Sequence, residues 1–216
     1  MPKIVIMYPP GAGGNFLANW LTPDENSLMP PNYRIDSIDN TNHYRKSLYL
    51  GNDYAQQSWS SFFGSIIDLK KIGQESIYWH EYLNQINEIK VLGIPIVITH
   101  ILDETTIRQH LGDVTYITIL PYTNVFSYIR SFINKNILCI ISKDERDNIS
   151  LEKLLFFVQE TFETWNIFKD ENIKNSRIID YSYLFDIDYL AKLYTEILGQ
   201  SPTSSRIRWA QLYIAS

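Results

Sequence analysis

The chain has 216 residues, of which 45% are hydrophobic and 20% are charged, and its formal net charge is −5. This composition is typical of a globular protein with a hydrophobic core, and it excludes a disordered chain. The negative balance argues against general binding of nucleic acid or anionic membranes, because both need a basic surface. The single cysteine, Cys139, excludes an internal disulfide, and no run of about 18 apolar residues predicts a membrane span.

The organisation of the chain predicts one cytoplasmic domain. The N-terminal residues lead directly into an apolar segment and then into glycines, a pattern that fits no signal peptide. The length suits a single large domain over residues 1–216, and there is no internal repeat or low-complexity linker. The histidines His43, His80 and His110 lack the spacing of metal ligands, so no metal site is predicted.

Segments rich in isoleucine, valine and tyrosine alternate with helical patterns along the chain, which predicts an α/β fold with a mostly parallel sheet flanked by helices. Four strands are expected, at residues 3–8, 94–101, 114–120 and 177–181. Helices are expected at residues 14–21, 53–63, 75–91, 104–111, 122–136, 150–168, 186–198 and 206–214. Residues 22–42 are expected to form a loop, and Gly112 and Gly199 to end two of the helices.

A glycine-rich turn joins the first predicted strand to the first predicted helix. Its residues are Gly11, Ala12, Gly13, Gly14 and Asn15, and we call them the glycine turn. Backbone N–H groups converge in such a turn, the helix dipole adds positive potential, and the missing Cβ atoms allow close approach. The pattern therefore predicts an anion site, with a tight turn that binds nothing as the alternative. Neither the GxxxxGK[ST] nor the GxGxxG fingerprint fits.

Four segments of the chain resemble, in order, the sulfotransferases that use 3′-phosphoadenosine-5′-phosphosulfate (PAPS). Residues 9–17 align without a gap with the family's Y-P-K-S-G-T-T-W-L-like loop. Residues 97–101 resemble its K-T-H-L strand end, and residues 116–128 resemble its strand, R-N-P-x-D turn and serine-bearing helix. Residues 177–199 resemble its Y-E-D-L strand end and the helix that follows. The resemblance implies a three-layer P-loop NTPase-like fold.

The resemblance also implies a reaction and a set of site residues. The reaction is transfer of a sulfuryl group from PAPS to a hydroxyl or amine acceptor; composition and histidine spacing separately predict no nucleic acid, membrane or metal. His100 would be the general base. The glycine turn would bind the 5′-phosphate through its backbone. Ser127 and Arg130, three residues apart on one helical face, would hold the 3′-phosphate.

Two cations of the family are missing from the aligned positions, which leaves three functions open. Gly11 stands where the family has its loop lysine, and Leu120-Pro121 stands near its turn arginine. Besides a sulfotransferase, the chain could be a catalytically degenerate module that binds an anion or a protein. The third possibility is a small-molecule kinase-like transferase, which the lack of a Walker lysine and of a clear Mg²⁺-binding aspartate disfavours.

Several of these polar residues also have structural explanations. His100 could be a hydrogen-bonded core histidine, and Ser127 and Arg130 a packing serine and a surface arginine. Asp180, at a strand end, is expected to cap or turn the chain and receives no catalytic role. Arg206 and Arg208 align loosely with a late basic segment of the family, but the structural explanation is favoured for both.

Overall fold

Strands and helices alternate along the part of the chain that the structure, a computed structural model, describes. The described residues are 3–8, 12–22, 47–50, 80, 83–84, 86–87, 90, 96–99, 104–120, 128, 150–152, 155, 159 and 176–215. The elements are β1 (Lys3–Met7), α1 (Gly14–Trp20), β2 (Ser47–Leu50), β3 (Ile96–Thr99), α2 (Glu104–Leu111), β4 (Val114–Leu120), β5 (Ser176–Asp180), a 3₁₀ helix (Tyr181–Phe185), α3 (Ile187–Leu198) and α4 (Ser204–Ala215).

The described strands form one five-stranded sheet in the order β2-β3-β1-β4-β5, and all neighbouring pairs are parallel. The predicted α/β fold with a parallel sheet is confirmed. Because β1 pairs with β3 and β4, the order differs from the 3-2-1-4-5-6 and 2-1-3-4-5 orders of two common doubly wound folds. In the last row of β1, Met7 lies between Thr99 and Thr118, so three strands end close together.

The three central strands are buried on both faces, which explains why they read as nearly continuous apolar runs. Side chains that alternate along them, such as Ile6 and Ile117, belong to a hydrophobic cluster that includes α1, α3 and α4. On the opposite face of β4, the ring of Tyr116 is covered by α2, where the Cζ atom of Arg108 lies 5.1 Å from the ring centroid. Helices therefore pack on both faces of the sheet.

Helix α1 is held in place by aromatic contacts with the last two helices. It has only seven residues, and an isolated helix of that length is not stable in water. The ring of Phe16 stacks on Tyr213 with 4.5 Å between centroids, and on Trp209 with 5.5 Å. The Nε1–H group of Trp20 donates to the carbonyl oxygen of Leu190 in α3 at 2.9 Å. The position of α1 is thus set by tertiary packing.

The two helix ends that were predicted at glycines are confirmed. Gly112 follows α2 with φ of 79°, and its N–H donates to the carbonyl of Arg108 at 2.9 Å. Gly199 follows α3 with φ of 70°, and its N–H donates to the carbonyl of Thr195 at 2.9 Å. Both glycines adopt the left-handed conformation that closes a helix and that other residues adopt at a cost.

Two described elements, β2 and the 3₁₀ helix, were not predicted from the sequence. Strand β2 was not predicted, because it has only four residues and lies in a region without a clear pattern. The last strand ends at Asp180, and Tyr181 begins the 3₁₀ helix instead of completing the strand. The side chain of Asp180 accepts a hydrogen bond from the N–H of Ser182 at 2.8 Å, so its expected capping role is confirmed.

Four predicted helices are covered by the structure only in part or not at all. The helix predicted at residues 53–63 lies outside the described residues. Tyr128 is helical, and it is the only described residue of the helix predicted at 122–136. The described residues within the predicted helices at 75–91 and 150–168 are helical, apart from the flanking Ser150. Within the described parts of the chain, no helix combines the length and the apolar character needed to cross a membrane.

Candidate functional site

The glycine turn follows the central strand of the sheet, at the edge where the parallel strands end. The N–H group of Tyr8 donates to the carbonyl oxygen of Thr99 at 3.2 Å, so the carboxyl ends of β1 and β3 lie side by side. Of the predicted site residues, the structure describes those at 12–15. The other four lie outside the described residues: Gly11, His100, Ser127 and Arg130. In sequence, His100 directly follows Thr99.

The first backbone N–H groups of α1 belong to Gly14, Asn15 and Phe16. Gly13 precedes the helix with φ of 77° and ψ of 17°, and no side chain caps the helix there. The first intrahelical bond runs from the N–H of Leu17 to the carbonyl oxygen of Gly13 at 3.0 Å. The N–H groups of residues 14–16 therefore precede the helical ladder, as in every helix. Ala12 is buried and Asn15 is half-buried.

The space beside both described glycines of the turn is filled by other side chains. A Cβ atom at Gly14 would lie less than 3.0 Å from ring carbons of Tyr8, and one at Gly13 would lie 2.8 Å from Cδ1 of Leu184. From the sequence, the missing Cβ atoms are expected to let an anion approach the backbone closely. In the structure, the Tyr8 ring and the Leu184 side chain use that space, so packing accounts for both glycines.

Four tyrosines gather around the turn, and the sequence interpretation did not place them in the site. Tyr8 lies against Gly14, and the rings of Tyr128 and Tyr181 meet edge to face at 6.1 Å. Burial is the larger cause that raises the pKa values of Tyr8, Tyr128 and Tyr213 above their ordinary values. A nearby tyrosine is the smaller cause: Tyr213 for Tyr8, and Tyr181 for Tyr128 and Tyr213. These phenols are therefore uncharged at neutral pH. The sequence feature that could have placed Tyr8 in the site is its position at the end of a buried strand.

The buried tyrosines predict a loss of stability in alkali. Since the native state holds the protons of Tyr8 and Tyr128 more tightly than the unfolded chain does, raising the pH above about 10 favours unfolding. The free energy of unfolding should fall by about 1.4 kcal/mol per pH unit for each of the two. Urea unfolding between pH 8 and pH 11 measures this slope, and Tyr8→Phe and Tyr128→Phe should each flatten it. Tyrosinate absorbance from either residue before unfolding would contradict the expectation.

Arg206 lies at the other end of α1, away from the glycine turn. Its Nη1 group donates to the carbonyl oxygen of Asn19 at 3.1 Å and to that of Trp20 at 2.8 Å. The favoured structural explanation is thus confirmed for Arg206, while Arg208 is exposed on α4. Among the residues that the structure describes, no group of three or more histidine, cysteine, aspartate or glutamate side chains could hold a metal ion.

Comparison with protein-family models gives no match for this chain, and comparison with curated proteins gives none either. The resemblance to the sulfotransferases therefore depends on the sequence segments alone. The described geometry adds a glycine turn with backbone donors at the carboxyl edge of a parallel sheet. Such an arrangement suits the binding of an oxyanion.

Proposed function

We propose that the chain is a sulfotransferase-like protein that binds a 3′-phosphoadenosine nucleotide at the glycine turn and transfers a sulfuryl group to a hydroxyl or amine. The position of the turn is the observation that supports this most. It follows the central strand β1 at the carboxyl edge of an all-parallel sheet, the edge at which open α/β sheets bind ligands. A P-loop NTPase-like class for the fold is part of the same proposal.

The residues of the chain have separate roles in the proposed reaction. The backbone N–H groups of the glycine turn bind the 5′-phosphate, and Ser127 and Arg130 hold the 3′-phosphate. His100 takes the proton from the acceptor hydroxyl. It follows Thr99, which is in register with Met7, so the base and the turn come after neighbouring strands. Bound PAPS would supply the activated sulfuryl group.

The packing of the glycines favours a second candidate, a module that binds an anion or a protein but does no chemistry. Tyr8 and Leu184 account for Gly14 and Gly13 without any ligand. In addition, Gly11 occupies the aligned position of the family's loop lysine, and losing one charge of this kind weakens transition-state stabilisation by orders of magnitude. This candidate keeps the fold and the backbone donors and omits the transfer step.

Calorimetry separates the candidates. We expect the full chain to bind 3′-phosphoadenosine-5′-phosphate without a metal, and more tightly than ATP with Mg²⁺, because the resemblance includes a site for the 3′-phosphate. Arg130→Ala should weaken binding by about tenfold through loss of a charge-assisted contact. The matched control is Arg208→Ala, since Arg208 is exposed on α4 and its removal should leave the affinity unchanged.

Each outcome of this titration has a clear meaning. Binding of the 3′-phosphorylated nucleotide without sulfuryl transfer would favour the anion-binding module. Tight binding of ATP that requires Mg²⁺ would favour the kinase-like alternative. Binding of neither nucleotide would overturn the proposed function and leave a protein-interaction module.

A further inference from the structure

Arg206 is a fully buried arginine of α4, and its contacts join this helix to α1 and α3. Its residue exposure is 0%, and its guanidinium lies in the hydrophobic interior rather than at the surface. Nη1 donates to the two carbonyl oxygens at the end of α1, and the Cζ atom lies 5.2 Å from the ring centroid of Tyr194 in α3. Burying a charge is costly unless hydrogen bonds and favourable potentials compensate.

The carboxyl end of α1 offers that compensation. The last carbonyl groups of a helix have no partner within the helix, and they carry the negative end of its dipole. The carbonyls of Asn19 and Trp20 both accept from the Arg206 guanidinium, at 3.1 and 2.8 Å. The aromatic face of Tyr194 adds a cation–π contact. The charge therefore fixes one end of α1 in space.

The other end of α1 also contacts the C-terminal part of the chain. Phe16, in its first turn, stacks on Tyr213 and Trp209 of α4. The nearest atom to the missing Cβ of Gly13 belongs to Leu184 of the 3₁₀ helix. Helix α4 thus runs along α1, with Arg206 at the carboxyl end of α1 and Tyr213 close to the glycine turn.

We propose that Arg206 is a positioning residue for the glycine turn, which it holds in place by fixing the carboxyl end of α1. Because α1 has only two turns and is not stable alone, its tertiary contacts set its position and the direction of its first N–H groups. A two-turn helix is stiff, so a shift at Trp20 moves the N–H groups of residues 14–16 as well. The effect on nucleotide binding rests on the proposed function, but the effect on the turn does not.

Amide hydrogen exchange tests the positioning role directly. We expect Arg206→Met to accelerate exchange at Leu17 and Leu21, whose amides bond to Gly13 and Leu17, by about tenfold relative to Ile117 in β4. The control is Ile107→Ala, which opens a cavity on α2, outside the hydrophobic cluster that contains α1. Its destabilisation should affect α1 and β4 alike and leave the ratio unchanged.

The conservative variant Arg206→Lys keeps the experiment decisive if the methionine variant does not fold. Its ammonium group keeps the charge and can donate to a helix carbonyl, but it lacks the guanidinium plane. We expect its exchange ratio to rise by about threefold over wild type, which is less than in Arg206→Met. A wild-type ratio in Arg206→Met would overturn the inference. If Arg206→Met does not fold, Arg206→Lys decides. The inference is then overturned if Arg206→Lys has wild-type stability and its exchange ratio rises no more than that of Ile107→Ala.

Calorimetry with 3′-phosphoadenosine-5′-phosphate, on variants that are folded at the titration temperature, connects the turn to binding. Arg206→Met should bind about tenfold more weakly, and Ile107→Ala should bind as wild type does. Unchanged affinity in Arg206→Met, with wild type binding normally, would overturn the inference and leave the proposed function standing. No binding by wild type would overturn the proposed function, and the exchange ratio would then decide alone whether Arg206 positions the turn.

Discussion

Replacing Gly14 by alanine should lower the free energy of unfolding by about 2–3 kcal/mol, although alanine is the better helix former. The new Cβ would lie less than 3.0 Å from three ring carbons of Tyr8, and Tyr8 as a residue is only 3% exposed. A buried ring packed on the first turn of α1 cannot move aside without disturbing its neighbours. Urea or thermal unfolding of the full chain, with circular dichroism as the probe, measures the loss.

Alanine variants of two other glycines distinguish the effect of this steric collision from the effect of backbone strain. Gly199 has φ of 70° and open space around its missing Cβ, so Gly199→Ala should cost only the left-handed strain of about 1 kcal/mol. Gly13 has φ of 77° and one close side-chain methyl group, Cδ1 of Leu184, so its alanine variant should cost an intermediate amount. The order of destabilisation should be Gly14, then Gly13, then Gly199.

A double-mutant cycle identifies Tyr8 as the cause. Tyr8→Ala removes the ring, so adding Gly14→Ala to it should cost almost nothing, and the coupling should reach about 2 kcal/mol. If Gly14→Ala is equally costly with and without the Tyr8 ring, another contact is responsible. A neutral Gly14→Ala with weakened nucleotide binding would instead mean that the glycine serves the ligand.

Replacing His100 by alanine should reduce sulfuryl transfer by about 10²–10⁴-fold and leave nucleotide affinity unchanged. A general base lowers the barrier of the transfer step, whereas the glycine turn and the 3′-phosphate contacts provide the binding. The release of 3′-phosphoadenosine-5′-phosphate from PAPS, measured with a panel of phenols and amines, reports the transfer. Calorimetry with the product nucleotide reports the affinity.

His110 provides a control histidine. It lies half-buried on α2, and the proposed reaction gives it no role. His110→Ala should therefore keep both the rate and the affinity within about twofold of wild type. If transfer by His100→Ala equals that of wild type, the base assignment is wrong. If His100→Ala loses nucleotide affinity instead, the residue belongs to the binding site and not to the chemical step.

The sequence was sufficient to predict the features that depend on short-range patterns. Buried parallel strands read as apolar runs, so three of the four predicted strands contain the central strands of the sheet. Gly112 and Gly199 ended their helices as expected because a left-handed residue closes a helix locally. Strand β2 escaped prediction, since four residues give too little periodicity, and its place depends on pairing with β3.

The candidate site likewise has features that local sequence determines and features that depend on tertiary packing. The sequence by itself determined that a glycine turn follows a buried strand and leads into a helix, because strand, turn and helix propensities act over a few residues. Only the tertiary structure decided what surrounds the turn. Leu184 occupies the space beside Gly13, and Arg206 reaches the carbonyl of Asn19 from 187 positions along the chain. Contacts at such separations depend on how packed elements fill space, and no local pattern encodes them.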